Sequence, residues 1–363
     1  MLTLLAIGDP HFKGDNGAET AAMDTQLRTL ISRNSPDVIV VLGDILHKHE
    51  KVDLHPFHRA QAFLEGLHAS MGPDCTLIIL IGNHDRPHNK VYLTDEHVFG
   101  PLKQWSRTHV IDTVQRLEMK GFHFVAAPYV EAGRFREALA TVGAADAENY
   151  QLHGVDVVLA HQEFHGAKMN TITSHEGDPW PETAPLCISG HIHDYQRLQS
   201  NLIYTGTPIQ HGYADTQDKT ISLFTLYSPQ TPHESSPSSS CDRSPISERL
   251  KWTEQRITLQ IPRRIQVTLT PEQLMTYVPP TDTHVKIKLE IDAARVDAVM
   301  KLPEVQTLLA RGVRIIAMPT ITNPVVSLIP IAVRKPFHQR LAEAIALCEV
   351  DVRNISQALF PAL

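Results

Sequence analysis

Five apolar runs in the first 193 residues each end on side chains able to bind a metal or carry a proton. LTLLAIG (2–8) stops at Asp9-Pro10-His11, DVIVVLG (37–43) at Asp44, and TLIILIG (76–82) at Asn83-His84-Asp85. VDVVLAH (155–161) ends in His161, and LCISG (186–190) gives way to His191-Ile192-His193. Unbroken Val/Ile/Leu runs of this length read as strands covered on both faces, because a strand with one wet face would alternate. Helical patterns separate the first three: AETAAMDTQLRTLISR (18–33), with Leu27, Leu30 and Ile31 on one side, and FHRAQAFLEGLHAS (57–70). Strand-helix-strand order implies parallel neighbours, and the carboxyl ends of parallel strands converge on one crevice. Residues far apart in sequence are therefore expected to share a site.

Further runs at FHFVAAP (122–128), LIYTG (202–206) and ISLFTL (221–226) extend this α/β unit over residues 1–226. The Ser/Pro-rich stretch 227–249 carries too little apolar surface to offset its ordering entropy, and reads as a linker or exposed loop. Residues 250–335 are expected to form a small α+β domain. HVKIKLEID (284–292) alternates as a half-buried strand, ARVDAVMKL and PEVQTLLARG look helical, and VRIIAMP (313–319) is another strand. Residues 336–363 read as a helical tail in which Phe337, Leu341 and Ile345 share a stripe.

Charge and histidine are unevenly spread. To residue 240 there are 17 Lys+Arg against 28 Asp+Glu, a balance of −11, and the remainder carries 16 against 12, or +4. Nineteen of the 21 histidines fall in the acidic part, which points to metal chemistry, since imidazole is the commonest metal ligand and a physiological proton carrier. Cys75, Cys187, Cys241 and Cys348 form no CxxC pair, which fits a reducing compartment and argues against structural zinc. The amino terminus lacks a charged leader region, and no apolar stretch nears the roughly 20 residues of a membrane helix, so a cytosolic protein off the membrane is expected.

The strand-end residues supply two carboxylates (Asp9, Asp44), one amide oxygen (Asn83) and four imidazoles (His11, His161, His191, His193), with no thiolate. That donor mix suits manganese, iron or zinc. Seven ligands exceed one tetrahedral ion and suit two ions bridged by one carboxylate, for which Asp44, after Gly43, is the natural choice. His84, next to Asn83, points elsewhere and is free to protonate a leaving oxygen, with Asp85 expected to hold its ring. Two such ions clamp the attacking and leaving oxygens of a phosphoryl displacement.

The series D-P-H, G-D-x-x-H, G-N-H-D, H-Q and G-H-I-H resembles the calcineurin-like metallophosphoesterase superfamily over roughly residues 1–226. Within it, GDILHKHEKVDLHP, NLIYTGTPIQ and the small unit behind them resemble the SbcD-type repair nuclease, of the meiotic-recombination-eleven family, and HQEFHGAKMN and GDPWPE resemble its compact versions in phages and large DNA viruses. The resemblance implies a two-sheet sandwich flanked by helices with a small capping domain. It implies one metal on Asp9, His11 and His193, another on Asn83, His161 and His191, Asp44 bridging, and His84 as acid. His47 falls at the family's second catalytic histidine, and Asp85 carries over as a support. Implied too are two divalent ions, manganese first with magnesium, iron or zinc as alternatives. The expected partners are DNA, a coiled-coil ATPase of the SbcC type and a second copy of the chain.

Blander readings stand beside these. The histidines after His47 could line a solvated loop, Arg86 and His88 could belong to an exposed turn, Lys286 and Lys288 to a solvated strand face, and Trp180 is a packing anchor. A small-molecule phosphodiesterase, a phosphoprotein phosphatase, or a non-catalytic scaffold on the same fold would carry much of the same sequence.

Overall fold

The computed structural model describes residues 1–143, 150, 152–169, 171–227 and 250–320. The expected linker at 227–249 and tail at 336–363, with its Phe337 stripe, lie outside these residues apart from Tyr227. Contacts divide the chain into one unit of Met1–Val267 with Val278–Lys286, and a second of Thr268–Tyr277 with Ile287–Leu363.

In the first unit the strands, numbered in chain order, form two six-stranded mixed sheets. One holds β1 (Leu2–Ile7), β2 (Val38–Val41), β3 (Thr76–Leu80), β4 (Thr108–Ile111), β13 (Ile221–Tyr227) and β14 (Lys251–Ile257), in the order β14-β13-β1-β2-β3-β4. The other holds β5 (Gln115–Met119), β6 (Phe122–Ala126), β7 (Val157–His161), β10 (Leu186–Gly190), β11 (Gln196–Gln199) and β12 (Leu202–Tyr204), in the order β11-β12-β10-β7-β6-β5. A two-stranded ribbon, β8 (Lys168–Met169) with β9 (Ile172–Thr173), sits between β7 and β10 in sequence.

The apolar runs are buried on both faces. Leu4, Ala6, Val38, Val40, Ile78 and Leu80 of the first sheet meet Phe122, Phe124, Val157, Leu159, Leu186 and Ile188 of the second in one central core. The alternate residues Leu5, Ile7, Ile39, Val41, Leu77 and Ile79 turn outward onto Met23, Leu27 and Ile31 of helix α1 (Gly17–Asn34) and Phe63, Leu64 and Leu67 of α2 (Leu54–Ser70). Each fully buried Leu or Ile contributes about 1.5–3 kcal/mol, so the doubled burial pins the register of these strands. The outer face of the second sheet is covered in the same way, with Trp180, 6% exposed, among Phe135, Phe164 and Tyr204.

Strands β1 to β4 are parallel, as are β6, β7, β10 and β12, so the ends bearing Asp9, Asp44, Asn83, His161 and His191 lie at the carboxyl ends of neighbouring parallel strands. One boundary differs from expectation. Residues 251–257 pair along their whole length with β13, adding an edge strand to the first sheet, so the chain beyond 250 opens inside the first unit. KWTEQRI carries only Trp252 and Ile257 as apolar residues and leaves three of its seven residues exposed, which hid it from the apolar pattern.

A three-stranded sheet follows, β15 (Arg263–Leu269), β16 (Thr283–Asp292) and β17 (Arg314–Thr320), in the order β15-β16-β17. In the second unit, Leu289 and Ile291 are buried, with Val299 and Val305 of the helices Val296–Met300 and Pro303–Ala310. The helix Pro271–Met275 opens on a complete capping box, Thr270 with Gln273. No helix among the described residues is long and apolar enough to cross a membrane.

Candidate metal centre

Asp44 stands at the middle of the strand-end cluster, 2% exposed. Its Oδ1 lies 3.4 Å from His161 Nε2 and its Oδ2 lies 3.5 Å from His11 Nε2. On the Oδ1 side, Asn83 Oδ1 is 3.0 Å from His161 Nε2 and 3.1 Å from His191 Nδ1. On the Oδ2 side, His11 Nε2 is 3.1 Å from His193 Nε2. Asp9 is fully buried, takes the His191 amide on Oδ1 at 2.9 Å, and leaves Oδ2 with no partner. Ring nitrogens and amide oxygens facing one another this closely, beside an orphaned carboxylate oxygen, are donor sets that divalent cations fit.

Backbone geometry makes the cluster possible. Asp9, His11, Asp44 and His191 all have positive φ (21°, 43°, 48° and 79°), each costing about 1–3 kcal/mol and held by the surrounding structure. Gly43 has φ 100°, and a Cβ there would meet His161 Nδ1 at 2.4 Å. A Cβ on Gly82 would meet both the amide nitrogen and Oδ1 of Asp44 at 2.2 Å. Both glycines are required by close approach of backbone to ligand side chains.

Electrostatics divide the two carboxylates. Burial penalises Asp44, but His161, His11 and His84 outweigh it and hold the carboxyl well below its usual range. Burial pushes Asp9 up to about 8, an effect that His161 only partly offsets and to which Asp44 adds repulsion. Burial also opposes charge on His161, yet Asp44 and then Asp9 push the imidazole up to about 9. His191, desolvated and beside His161, drops to about 3 and stays a neutral donor.

His84 lies beside these ligands at the more open side of the cluster, 27% exposed, with Nε2 4.0 Å from Asp44 Oδ2 and its ring edge-on to His11 at 4.9 Å. Its Nδ1 lies 2.7 Å from the His47 carbonyl, which can only accept, so Nδ1 carries the proton and Nε2 is the free nitrogen. The His47 ring lies parallel to His84 at 5.8 Å and edge-on to His11 at 5.2 Å. His49, outside the predicted set, stacks on His84 at 4.2 Å.

Asp85 takes another place than expected. Its Oδ1 accepts the Leu46 amide at 2.8 Å, and its Oδ2 those of Ile45 and Gly82 at 3.2 and 3.1 Å. It staples the segment after Asp44 to the turn before Asn83, and the His47 carbonyl orients His84 instead. Burial pushes the Asp85 carboxyl up to about 6, with Asp44 adding to the shift and the three amides opposing it. Arg86 also departs from the exposed-turn reading, being 3% exposed with Nη1 donating to the Tyr129 carbonyl at 2.5 Å. The Tyr129 ring packs 5.4 Å from that of His191. His88 is exposed. Cys75 and Cys187 are buried free thiols, and burial pushes Cys75 up to about 11.

His211 was missed. It lies 8% exposed in the turn after β12, its ring edge-on to His11 at 4.7 Å and to His193 at 5.1 Å. No strand-end run precedes it; the only sequence signal is a histidine five residues past the Gly206 turn.

Residues 2–195 match the family model described as calcineurin-like phosphoesterase. "Putative phosphoesterase 078R" of Invertebrate iridescent virus 3 is 40% identical over 221 residues, 61% of this chain and 61% of that protein. "Putative phosphoesterase 244L" of Invertebrate iridescent virus 6 is 37% identical over 229 residues, 62% of this chain and 77% of its own length. The match thus spans less than two thirds of the first relative. A solved structure of a protein of unknown function from Aquifex aeolicus aligns over 44% of this chain and 79% of its own at 18% identity; its TM-score of 0.25 carries no argument.

Proposed function

The chain belongs to the calcineurin-like phosphoesterase family, and we propose that it is a two-metal phosphodiesterase acting on DNA, as a 3′ to 5′ exonuclease with single-strand endonuclease activity. Asp9, His11 and His193 would hold the first ion, and Asn83, His161 and His191 the second, with Asp44 available to both. The observation that carries this reading is the opposed placement of the two Asp44 oxygens, one 3.5 Å from His11 and the other 3.4 Å from His161. Two divalent ions, manganese first with magnesium, iron or zinc as alternatives, would supply Lewis acidity there. The chain's own residues do the rest. Asp9, Asp44 and the imidazoles present their lone pairs inward from rigid strand ends. His84 keeps its Nδ1 proton on the His47 carbonyl and delivers a second proton from Nε2 to the departing oxygen. His47, parallel to it, lines the approach and positions the substrate.

The DNA assignment draws on the resemblance of G-D-x-x-H and Y-x-G-T to SbcD-type nucleases and on the balance of +4 beyond residue 240. Incubating purified protein with end-labelled single- and double-stranded DNA, with and without Mn(II), tests it: metal-dependent shortening is expected. Cleavage of bis-p-nitrophenyl phosphate without any cleavage of DNA would leave the two-metal site standing and remove the nuclease. The second reading, a small-ester phosphodiesterase, draws on the −11 balance of the front part, which repels polyanions.

A further inference from the structure

We propose that His211 is a positioning residue of the first cation position, acting through the backbone of Asp9. The inference rests on the two-metal reading above. His211 Nε2 is 2.9 Å from the Asp9 carbonyl oxygen, and a carbonyl only accepts, so the Nε2–H donates and the tautomer is fixed. The bond falls on a residue that needs it. Asp9 has φ 21°, a conformation L-residues avoid, and the next ligand, His11, has φ 43°. A turn with two left-handed residues within three positions relaxes unless something outside it over-determines it.

His211 is itself anchored. Its amide donates to Asp215 Oδ2 at 2.6 Å, the Gly212 amide donates to the same oxygen at 3.0 Å, and Lys13 Nζ, from the segment after His11, donates to the His211 carbonyl at 2.5 Å. The ring also packs edge-on against His11 and His193. It thus touches all three residues assigned to the first ion, while Asn83, His161 and His191 lie outside its hydrogen-bond and ring contacts. A single side chain that sees one half of a binuclear site acts on that half selectively.

Titration calorimetry of the full chain, stripped of metal and titrated with Mn(II), reads this out. His211→Phe keeps a ring in place but removes the donor, and is expected to weaken one of two binding events by about 10- to 100-fold, the scale of losing a supporting hydrogen bond around a metal site. The other event stays as in the wild type. His211→Gln, whose amide can reach the Asp9 carbonyl, restores the lost affinity. In an Asn83→Ala background, which removes the second position, adding His211→Phe weakens the remaining event; in a His193→Ala background it does not. If His211→Phe is insoluble, His211→Asn, too short to reach the carbonyl, shows the same selective loss. Equal weakening of both events, an unaltered His211→Phe, or a His211→Gln as weak as the Phe variant overturns the proposal. Wild-type protein that binds fewer than two ions sinks the two-metal reading itself, and this inference with it.

Discussion

Asp85 offers the sharpest test of how the site is built, because its two candidate roles predict opposite observables. As a staple it satisfies three buried amides, Leu46 on one oxygen, Ile45 and Gly82 on the other. Asp85→Asn keeps one carbonyl oxygen. Placed where it serves the Ile45 and Gly82 amides, it turns the NH₂ toward the Leu46 N–H, stranding one buried donor against another. A buried donor left unpaired costs about 1–3 kcal/mol, and the apposed donors put this case at about 2–3 kcal/mol. At the size of the first unit that is a fall in Tm of roughly 3–5 °C. The same substitution loosens the segments bearing Asp44 and Asn83, so Mn(II) affinity should fall about 10-fold. Thermal melts followed by circular dichroism, with calorimetric Mn(II) titration of the same samples, measure both. Asp85→Asn protein with wild-type Tm and Mn(II) affinity but a reduced kcat would refute the staple and restore Asp85 as the support of the His84 ring.

Other substitutions separate the remaining roles. His84→Ala should leave metal content near wild type while turnover on bis-p-nitrophenyl phosphate drops about 10²-fold or more; loss of metal in that variant would show that His84 is a ligand. Asp44→Ala should empty both positions, counted by elemental analysis after gel filtration. Gly82→Ala drives a Cβ to 2.2 Å from Asp44 Oδ1 and should cost about 1–3 kcal/mol of stability together with most of the bound metal. Cys75, buried with its thiol pushed up to about 11, should resist iodoacetamide at pH 8 in native protein and react on unfolding in guanidinium. Ready alkylation of the folded chain would mean the α2–β3 turn opens far more than its packing allows.

What the sequence made legible, and what it hid, follows from the kind of interaction involved. The seven candidate ligands were readable because each stands where an apolar strand stops, and parallel topology brings such ends together whatever the loops between them do. His211 and the role of Asp85 were not readable, because both act through backbone carbonyls and amides of other segments, partners that carry no residue signature. The strands β4, β5, β11, β14 and β15 escaped for a related reason. All five lie at sheet edges, where strands are short or exposed faces admit Gln, Arg, Glu and Lys, and no long apolar run builds up. The same division bears on function. Side-chain chemistry names the candidate donors and the proposed acid, but the shape of the centre depends also on left-handed residues, among them Asp9, His11 and Asp44 in two strand-end turns. Those turns are held by bonds from Asp85 and His211 as well as by bonds among the ligands, such as the His11 amide on the Asp44 carbonyl at 3.0 Å. A complete ligand set should therefore lose affinity at one position when the His211 bond is removed, and about 10-fold when the Asp85 bonds are weakened.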